Sequence, residues 1–493
     1  MPSKEVFTGN YGNLQLLISG KWLSSESQDL HPVFNPAEGH VIAKVPFSTK
    51  EEVTRAIDSA DEAFTSWGSL PITDRIQFLF RMKAVLELHA RELAILNTEN
   101  HGKTLEESRG DIRRTIENVE SAISIAYTLS KGTSLDQISQ GIDETMVKEP
   151  LGVFAIVCPF NFPIMIPFWF LPYAVVLGDT VVVKPSEITP VPMQKVVTLI
   201  LDEVGLPPGV INVVHGGAEV VETLISAKAT RGVTFVGSTP VARRVYRLAG
   251  ENGKRAIVNG GAKNSIVVMP DADLDRSIPS IVSSFFGNTG QRCLAGANLV
   301  VVASSGDQLL DKFSRAASAL RIGNGLSPET EMGPMVTMSA KERVRNYVQK
   351  GIDEGGKLII DGRDAKVEEF PEGFYLGSTI FDDVSPSMSM AQDEVFGPLA
   401  SVLHVETLDD ALDLVNRGTN YGNMASVFTS SGRVAREFRR RANAGNIGIN
   451  IGVAAPSAFF PFGGMRDSFF GVMHPQADTV DFFTDRKVIL SRW

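Results

Sequence analysis

The chain has 493 residues, a formal net charge of −10 and a hydrophobic content of 43%, values typical of an ordinary globular protein of two or three domains. The acidic balance argues against nucleic acid as a partner, because phosphate binding needs a basic face. The two cysteines, Cys158 and Cys293, exclude a disulfide scaffold, so a reducing, cytoplasmic location is expected.

The first third of the chain predicts a hairpin and then helices. Residues 14–23 have the pattern of a hairpin with a Ser-Gly turn, and residues 50–129 show helical periodicity that Pro71 interrupts. Residues 150–178 carry no charged side chain and are long enough to cross a bilayer. Five prolines break up that segment, so we interpret it as a buried strand, a polar turn and a buried helix, and expect no membrane partner.

The middle of the chain alternates between strand-like and helix-like segments at a spacing of about 20–30 residues, which is typical of βαβ units and a parallel sheet. The predicted strands are Phe154–Val157, Thr180–Val183, Ile211–Val214, Thr234–Val236 and Ile266–Met269. The predicted helices are Pro163–Leu177, Val191–Val204, Glu219–Ala227 and Val241–Leu248. A second α/β block is predicted over residues 299–450. The tail from Val480 to Trp493 and the segment near 130–150 have no evident partner in their own domain, and we expect them to pair with a neighbouring subunit.

A nucleotide site is predicted where two strands end, although the ordinary GxGxxG fingerprint is absent. Lys184 and Glu187 follow one strand, and ligands of open α/β sheets bind at carboxyl ends of strands. Glu187 could accept from both ribose hydroxyls, which favours NAD over a 2′-phosphorylated cofactor. Gly237 and Ser238 end another strand just before a helix, where free amides can hold a pyrophosphate. An exposed turn and a plain helix cap are the alternative interpretations.

Acyl chemistry is suggested by Cys293, which follows two glycines and is preceded directly by Arg292. An adjacent cation lowers a thiol pKa, and the thiolate is the strong nucleophile. Asn161 lies in a turn bounded by Pro159 and Pro163, where it could donate to a developing oxyanion beside the Cys293 N–H. A buried structural cysteine and a turn-closing asparagine are the alternatives. No Cys/His cluster occurs, so no metal is predicted.

Six short motifs resemble the aldehyde dehydrogenase superfamily in order and spacing. They are Pro159–Pro163, Lys184–Glu187, Phe235–Ser238, Gly290–Cys293, Glu394–Pro398 and Pro461–Gly464. The resemblance implies a Rossmann-type NAD domain, an α/β catalytic domain and a small β oligomerisation segment. The resemblance implies that Cys293 is the nucleophile and that Asn161, with the Cys293 N–H, forms the oxyanion hole. It also assigns a cofactor-binding set of Phe160, Lys184, Glu187, Gly237, Ser238, Glu394 and Phe396.

One departure from the superfamily pattern concerns the residue that activates water. Most members have a general-base glutamate some thirty residues before the cysteine, and the matching position here is Asn259. An amide cannot take a proton at neutral pH, and general-base help is typically worth roughly 10²–10⁴ in rate. A thiol acceptor needs less help, which points to coenzyme A as co-substrate.

The methylmalonate-semialdehyde dehydrogenase branch, which is acylating and CoA-dependent, is the most similar part of the superfamily. The segments that carry this likeness are Gly261–Asn264, Ile164–Pro167, Ile322–Gly325 and Ala458–Phe462. The branch acts on aldehydes that carry a carboxylate, which Arg114 and Arg292 would hold. Phe162 and Phe460 would be apolar pocket walls, or alternatively part of the core. A solvated helix charge beside Arg113 is the alternative for Arg114.

The resemblance also implies the domain bounds and the overall reaction. Residues 1–128 and 151–262 form the NAD-binding domain, 263–472 the catalytic domain, and 129–150 with 473–493 the oligomerisation segments of a homotetramer built as a dimer of dimers. Methylmalonate or malonate semialdehyde is oxidised through a cysteine thioester, with decarboxylation and acyl transfer to coenzyme A. A non-acylating dehydrogenase that releases free acid, or a retired structural homologue, is the rival hypothesis.

Overall fold

A computed structural model describes residues 9–128, 130–303, 306–476 and 478–493. Its strands are β1 (Leu16–Ile18), β2 (Lys21–Leu23), β3 (Leu30–Asn35), β4 (His40–Pro46), β5 (Thr133–Ser139), β6 (Ile142–Pro150), β7 (Val153–Val157), β8 (Thr180–Lys184), β9 (Ile211–Val213), β10 (Thr230–Val236), β11 (Arg255–Asn259), β12 (Asn264–Val268), β13 (Gly296–Val302), β14 (Lys357–Ile360), β15 (Thr379–Asp382), β16 (Leu399–Val405), β17 (Tyr421–Gly422), β18 (Met424–Phe428), β19 (Asn446–Ile449), β20 (Met465–Arg466), β21 (Phe469–Phe470) and β22 (Thr484–Arg492). Its helices are α1 (Lys50–Trp67), α2 (Ile72–Leu88), α3 (Ala90–His101), α4 (Leu105–Thr128), α5 (Met165–Phe168), α6 (Leu171–Leu177), α7 (Val191–Leu199), α8 (Ala218–Ser226), α9 (Thr239–Glu251), α10 (Leu274–Phe286), α11 (Gly306–Ser318), α12 (Met338–Asp353), α13 (Ser389–Gln392), α14 (Leu408–Arg417), α15 (Gly432–Arg441) and α16 (Thr479–Phe483).

The first sheet has the strand order β2-β1-β9-β8-β7-β10-β11-β21. Strands β9, β8, β7, β10 and β11 run parallel, whereas β1 and β21 pair antiparallel at its two sides. Both faces are covered, because along β8 Val181 and Val183 pack into one hydrophobic cluster and Val182 into another. The apolar runs of the sequence therefore form the buried parallel sheet that they predict.

The second sheet has the order β14-β15-β16-β13-β12-β18-β19, parallel except at β14. The chain passes from the carboxyl end of β11 in the first sheet to the amino end of β12 in the second. The carboxyl edge of the first sheet consequently lies next to the amino edge of the second. The domain boundary predicted after residue 262 falls in this connection, and the domain bounds stay a prediction.

The third sheet, with the strand order β22-β6-β5, pairs the tail of the chain with the segment near residues 130–150. All of β22 pairs antiparallel with β6 of the same chain, from Thr484 opposite Pro150 to Arg492 opposite Ile142. The two segments therefore have partners within their own chain, and their pairing with a neighbouring subunit stays a prediction. The period-two pattern shows that a segment is a strand, and it says nothing about which chain supplies the partner.

Two other sequence predictions, the hairpin near the start of the chain and the buried strand followed by helix, are confirmed. Strands β1 and β2 form the hairpin, with the turn at Ser19 and Gly20. The segment from 150 to 178 forms strand β7 and the short helices α5 and α6. Among the described residues, no helix combines the length and the apolar character that crossing a bilayer requires.

Candidate active site

A cavity of about 520 Å³ lies at the carboxyl edge of the first sheet, where the loops after β7, β8, β10 and β11 meet. All of the predicted cofactor-binding residues and both predicted catalytic residues line this cavity. These lining residues are Phe160, Asn161, Lys184, Glu187, Gly237, Ser238, Cys293, Glu394 and Phe396. Residues far apart in sequence thus meet because parallel strands end at one edge.

Lys184 is a buried cation at the floor of this cavity. Its Nζ donates to the carbonyl oxygens of Pro185 at 2.9 Å and Gly216 at 2.8 Å, and it lies 3.2 Å from Glu187 Oε2. The two carbonyls fix the ammonium direction, so Lys184 is oriented before any ligand arrives. The side chain of Glu187 is 42% exposed, which leaves carboxylate oxygen free to accept from a ligand.

The start of α9 provides a further group of donors. Ser238 is its N-cap residue, and no side chain caps the free amides of the first turn. Gly237 and Ser238 line the cavity directly in front of this 13-residue helix. Uncapped amides at a helix start suit a phosphate group, so the cavity fits a dinucleotide with its pyrophosphate at α9.

A second, smaller cavity of about 280 Å³ meets the first at the thiol. It is lined by Arg114, Arg292, Phe162 and Cys293 from the predicted set. Cys293 is the one described residue found in the walls of both cavities. Phe460 is 65% exposed and is absent from the lining, whereas the buried Phe462 takes such a position. The role of Phe460 as a pocket wall remains a prediction that this geometry does not support.

Each predicted cation of the small cavity already has an acidic partner. Arg292 Nη2 lies 2.7 Å from Glu107 Oε1, and Arg114 Nη1 lies 2.7 Å from Glu117 Oε2. Glu107 also accepts from the Asn288 N–H at 2.6 Å. Sequence reasoning missed Glu107, although Thr104 and Glu107 carry the spacing of a capping box at the start of α4.

The loop before the nucleophile is held in a conformation that few residues adopt. Asn288 and Thr289 have φ of 52° and 54°, and Gly290 has φ of +69°. Left-handed non-glycine residues cost about 1–3 kcal/mol each and persist only when their surroundings fix them. The Thr289 hydroxyl donates to the Gly333 carbonyl at 2.9 Å. A Cβ on Gly290 would collide with the carbonyl oxygen of Gly397, so glycine is required there.

Amide side chains also orient the nucleophile and its neighbours. The Cys293 carbonyl accepts from Asn264 Nδ2 and Asn423 Nδ2, each at 2.8 Å. Asn161 is 5% exposed, and its Nδ2 donates to the Gln291 carbonyl at 3.1 Å. The predicted oxyanion donor is therefore held beside the peptide that leads to the thiol.

The protonation state of Cys293 differs from the sequence expectation. Burial raises the pKa of the thiol to about 12, and the charge of Glu394 adds to that rise. The expectation that Arg292 lowers the pKa is wrong, because its guanidinium is engaged with Glu107. Burial likewise raises the pKa of Glu394 to about 7, against the opposing Ala262 N–H and Lys263.

We therefore expect alkylation of Cys293 by iodoacetamide to accelerate about tenfold per pH unit from pH 7 to pH 10 in the free protein, because the thiolate reacts and its pKa lies above that range. Peptide mass spectrometry after timed quenching would measure the rate. A plateau reached near pH 7 would contradict the raised pKa.

Asn259, the last residue of β11, is buried at 3% exposure, and neither atom of its amide has a hydrogen-bond partner. Gly260 and Gly261, which follow it, line the large cavity. The position predicted to lack a base thus carries a neutral side chain at the edge of the site.

A cluster of ionisable side chains lies elsewhere, on the second sheet. Asp382, Asp383 and His404 are close enough to share a metal ion, but His404 Nε2 lies 2.7 Å from Asp382 Oδ1 and Lys357 lies 3.3 Å from Asp382 Oδ2. Asp382 therefore already contacts both His404 and Lys357. The absence of a metal from the reaction stays a prediction.

Residues 22–489 match the sequence profile of the aldehyde dehydrogenase family. Malonate-semialdehyde dehydrogenase 1 of Geobacillus kaustophilus is 44% identical over 481 residues, covering 97% of this chain and 98% of that protein. The crystal structure of methylmalonate-semialdehyde dehydrogenase from Oceanimonas doudoroffii is 39% identical, with a TM-score of 0.95 and 98% of each chain covered. A candidate methylmalonate-semialdehyde dehydrogenase from Sinorhizobium meliloti, solved in complex with NAD, is 36% identical with a TM-score of 0.95, again covering 98% of both chains.

Proposed function

The chain belongs to the aldehyde dehydrogenase family, and from that premise we propose that it oxidises a carboxylated semialdehyde, malonate or methylmalonate semialdehyde, with NAD through a thioester on Cys293. The observation that carries the proposal is the position of this thiol in the walls of both cavities. One cavity has the features of a dinucleotide site, and the other has two guanidinium groups. A thiol between them can meet the aldehyde carbon and the hydride acceptor together.

The chain's own residues account for most of the chemistry. The Cys293 thiol gives up its proton to solvent, and the thiolate sulfur then attacks the aldehyde carbon. The negative charge that develops on the aldehyde oxygen is stabilised by Asn161 Nδ2 and the Cys293 N–H. Lys184, Glu187 and the start of α9 hold the cofactor, with Glu394 and Phe396 at its nicotinamide end. When bound, NAD accepts the hydride, which no side chain could accept. The thioester then remains in the small cavity.

Coenzyme A is the acceptor that we propose for this thioester, and Asn259 supports the choice. A buried amide cannot take a proton from water, whereas a thiol acceptor supplies thiolate without a base at that position. A β-carboxylated acyl group can lose its carboxylate before transfer. This step rests on the resemblance to the acylating branch, since no residue of the chain is assigned to it.

Recognition of the carboxylate by Arg114 gives the experiment that tests the substrate class. We expect Arg114→Gln to raise KM for malonate semialdehyde about 10- to 100-fold, because a hydrogen bond to a charged group is worth about 1.5–3 kcal/mol. The kcat/KM for propanal, which has no carboxylate, should change little. Steady-state NADH formation with both aldehydes would measure the difference.

The neighbouring Arg113 provides a matched control for this experiment. It also pairs with Glu117, at 3.2 Å, but its side chain is 81% exposed and it does not line the small cavity. Arg113→Gln should therefore leave both aldehydes unaffected. Equal losses of activity toward malonate semialdehyde and propanal in the Arg114 variant would contradict carboxylate recognition.

The assembly and the location are the remaining proposals. The third sheet exposes apolar side chains on β5 and β22, including Leu135, Ile138, Val488 and Leu490. Such a surface fits a contact between subunits, which supports the homotetramer. Cys158 and Cys293 are both free thiols, which supports a reducing compartment such as the cytoplasm.

A further inference from the structure

Lys103, just before α4, is a buried lysine whose partner Asp111 lines the small cavity. Its side chain and that of Asp111 have no solvent exposure, and Lys103 Nζ lies 3.3 Å from Asp111 Oδ2. The same Nζ donates to the carbonyl oxygen of Asn161 at 2.7 Å. It also lies 4.1 Å from the centre of the Phe162 ring. A buried cation therefore contacts two consecutive residues of the loop that carries the oxyanion donor.

Asp111 holds the other end of the same loop. Its Oδ1 accepts from the Met165 N–H at 2.9 Å, while its Oδ2 accepts from Asn97 Nδ2 at 3.0 Å. Lys103 and Asp111 together fix the backbone at Asn161 and again at Met165. Burial lowers the pKa of Lys103 and raises that of Asp111, and each charge opposes the shift of the other. Neither residue has a role in the mechanism above.

We propose that Lys103, with Asp111 as its counter-ion, is a positioning residue that sets the Asn161 amide for oxyanion stabilisation. The proposal rests on the oxyanion role given to Asn161 under the proposed function. Lys103 contacts the Asn161 main chain and lines neither of the two cavities.

The position of the Asn161 side-chain amide depends on the position of the Asn161 backbone. Asn161 Nδ2 donates to the Gln291 carbonyl at 3.1 Å, so its amide stands beside the nucleophile only while the Asn161 backbone keeps its place. Lys103 Nζ supplies a charge-assisted hydrogen bond to the carbonyl oxygen of this backbone. A shift of about 1 Å at a catalytic group can cost on the order of 10²-fold in rate.

A charge-neutral double variant, Lys103→Met with Asp111→Asn, tests this arrangement without leaving an unpaired buried charge. The Asn97 Oδ1 atom has no hydrogen-bond partner, so rotation of the Asn97 amide can satisfy the amide introduced at position 111. The oxygen of that introduced amide can still accept from the Met165 N–H. We expect kcat/KM for malonate semialdehyde to fall roughly 10- to 100-fold, with NAD binding, followed by tryptophan fluorescence, unchanged.

A double-mutant cycle with Asn161→Ala separates positioning from a general structural effect. Asn161→Ala alone should lower kcat/KM about 10²–10³-fold. Adding the Lys103/Asp111 changes to Asn161→Ala should then lower it no further, since the amide they position is gone. If the added loss is as large as in the wild-type background, Lys103 supports the fold and the inference is overturned. If Asn161→Ala has no effect, the oxyanion assignment itself fails.

Two further variants keep the test decisive. Lys254→Met is the control, because its Nζ also donates to main-chain carbonyl oxygens, those of Ala227 and Thr230, but at the amino end of β11, away from the site. It should leave kcat/KM unchanged. Should the double variant fail to bind NAD, Lys103→Gln retains a donor for Asn161. Partial activity is expected of it because the donor is kept, and a loss as large as that of Asn161→Ala would overturn the inference.

Discussion

Replacing Cys293 with alanine should lower NADH formation by roughly 10⁴-fold or more, because loss of a covalent nucleophile removes the pathway itself. Cys293 is the one described residue in the walls of both cavities, and the other described cysteine, Cys158, lines only the large one. Intact-protein mass spectrometry after incubation with aldehyde and NAD, without coenzyme A, should show an acyl adduct on the wild-type chain and none on the variant.

Cys158 is a suitable control because it is also a free thiol and lines the large cavity. Its side chain is 6% exposed, and burial raises its pKa to about 12. Cys158→Ala should keep its NADH rate within a small factor of wild type and should still form the adduct. Unaltered turnover in Cys293→Ala would dismiss covalent catalysis and revive the interpretation of the chain as a retired homologue.

Installing a base at position 259 should convert the chain toward release of free acid. We expect Asn259→Glu to raise CoA-independent turnover about 10²-fold or more, the lower range of general-base catalysis. A carboxyl group in this buried place would have a raised pKa, which suits proton transfer near neutral pH. NADH formation without coenzyme A, with chromatography of the acid product, would measure the gain.

Asn259→Gln is the matched control, since it has the size of glutamate and cannot take a proton. It should leave CoA-independent turnover at the wild-type level. An equal gain in both variants would mean that the larger side chain only admits water. Rapid wild-type turnover to free acid without coenzyme A would contradict the acylating proposal directly. The buried carboxyl group should also lower the melting temperature, which calorimetry would report.

Elements with strong local patterns were predictable from the sequence. The apolar runs that form β7 to β10 are short and bounded by turn residues, and the apolar stripe of α1 has the helical period, so both kinds of element could be assigned locally. Strand β11 escaped prediction, because Arg255 and Asn259 at its ends leave only three apolar residues between them. Its identity depends on β10 beside it, a contact that the local sequence does not encode.

In the site, the chemistry-bearing residues could be predicted and their partners could not. Cys293 and Asn161 stand in short motifs, but the acidic partner of Arg292 lies 185 positions away at Glu107. That pairing engages the guanidinium that was expected to lower the pKa of the thiol. Lys103 gave no signal at all, because a lysine is almost never buried unless paired, and the sequence does not show which lysine is paired.

The position of Cys293 in the walls of both cavities also affects the order in which products leave and the acyl acceptor enters. NADH can leave the large cavity while the acyl group stays covalently attached to Cys293 in the small cavity. The release of NADH therefore does not require release of the acyl group. Product inhibition by NADH should accordingly be competitive against NAD and not against the aldehyde. The vacated large cavity then offers the incoming acceptor a route to the thioester that the departing product no longer obstructs.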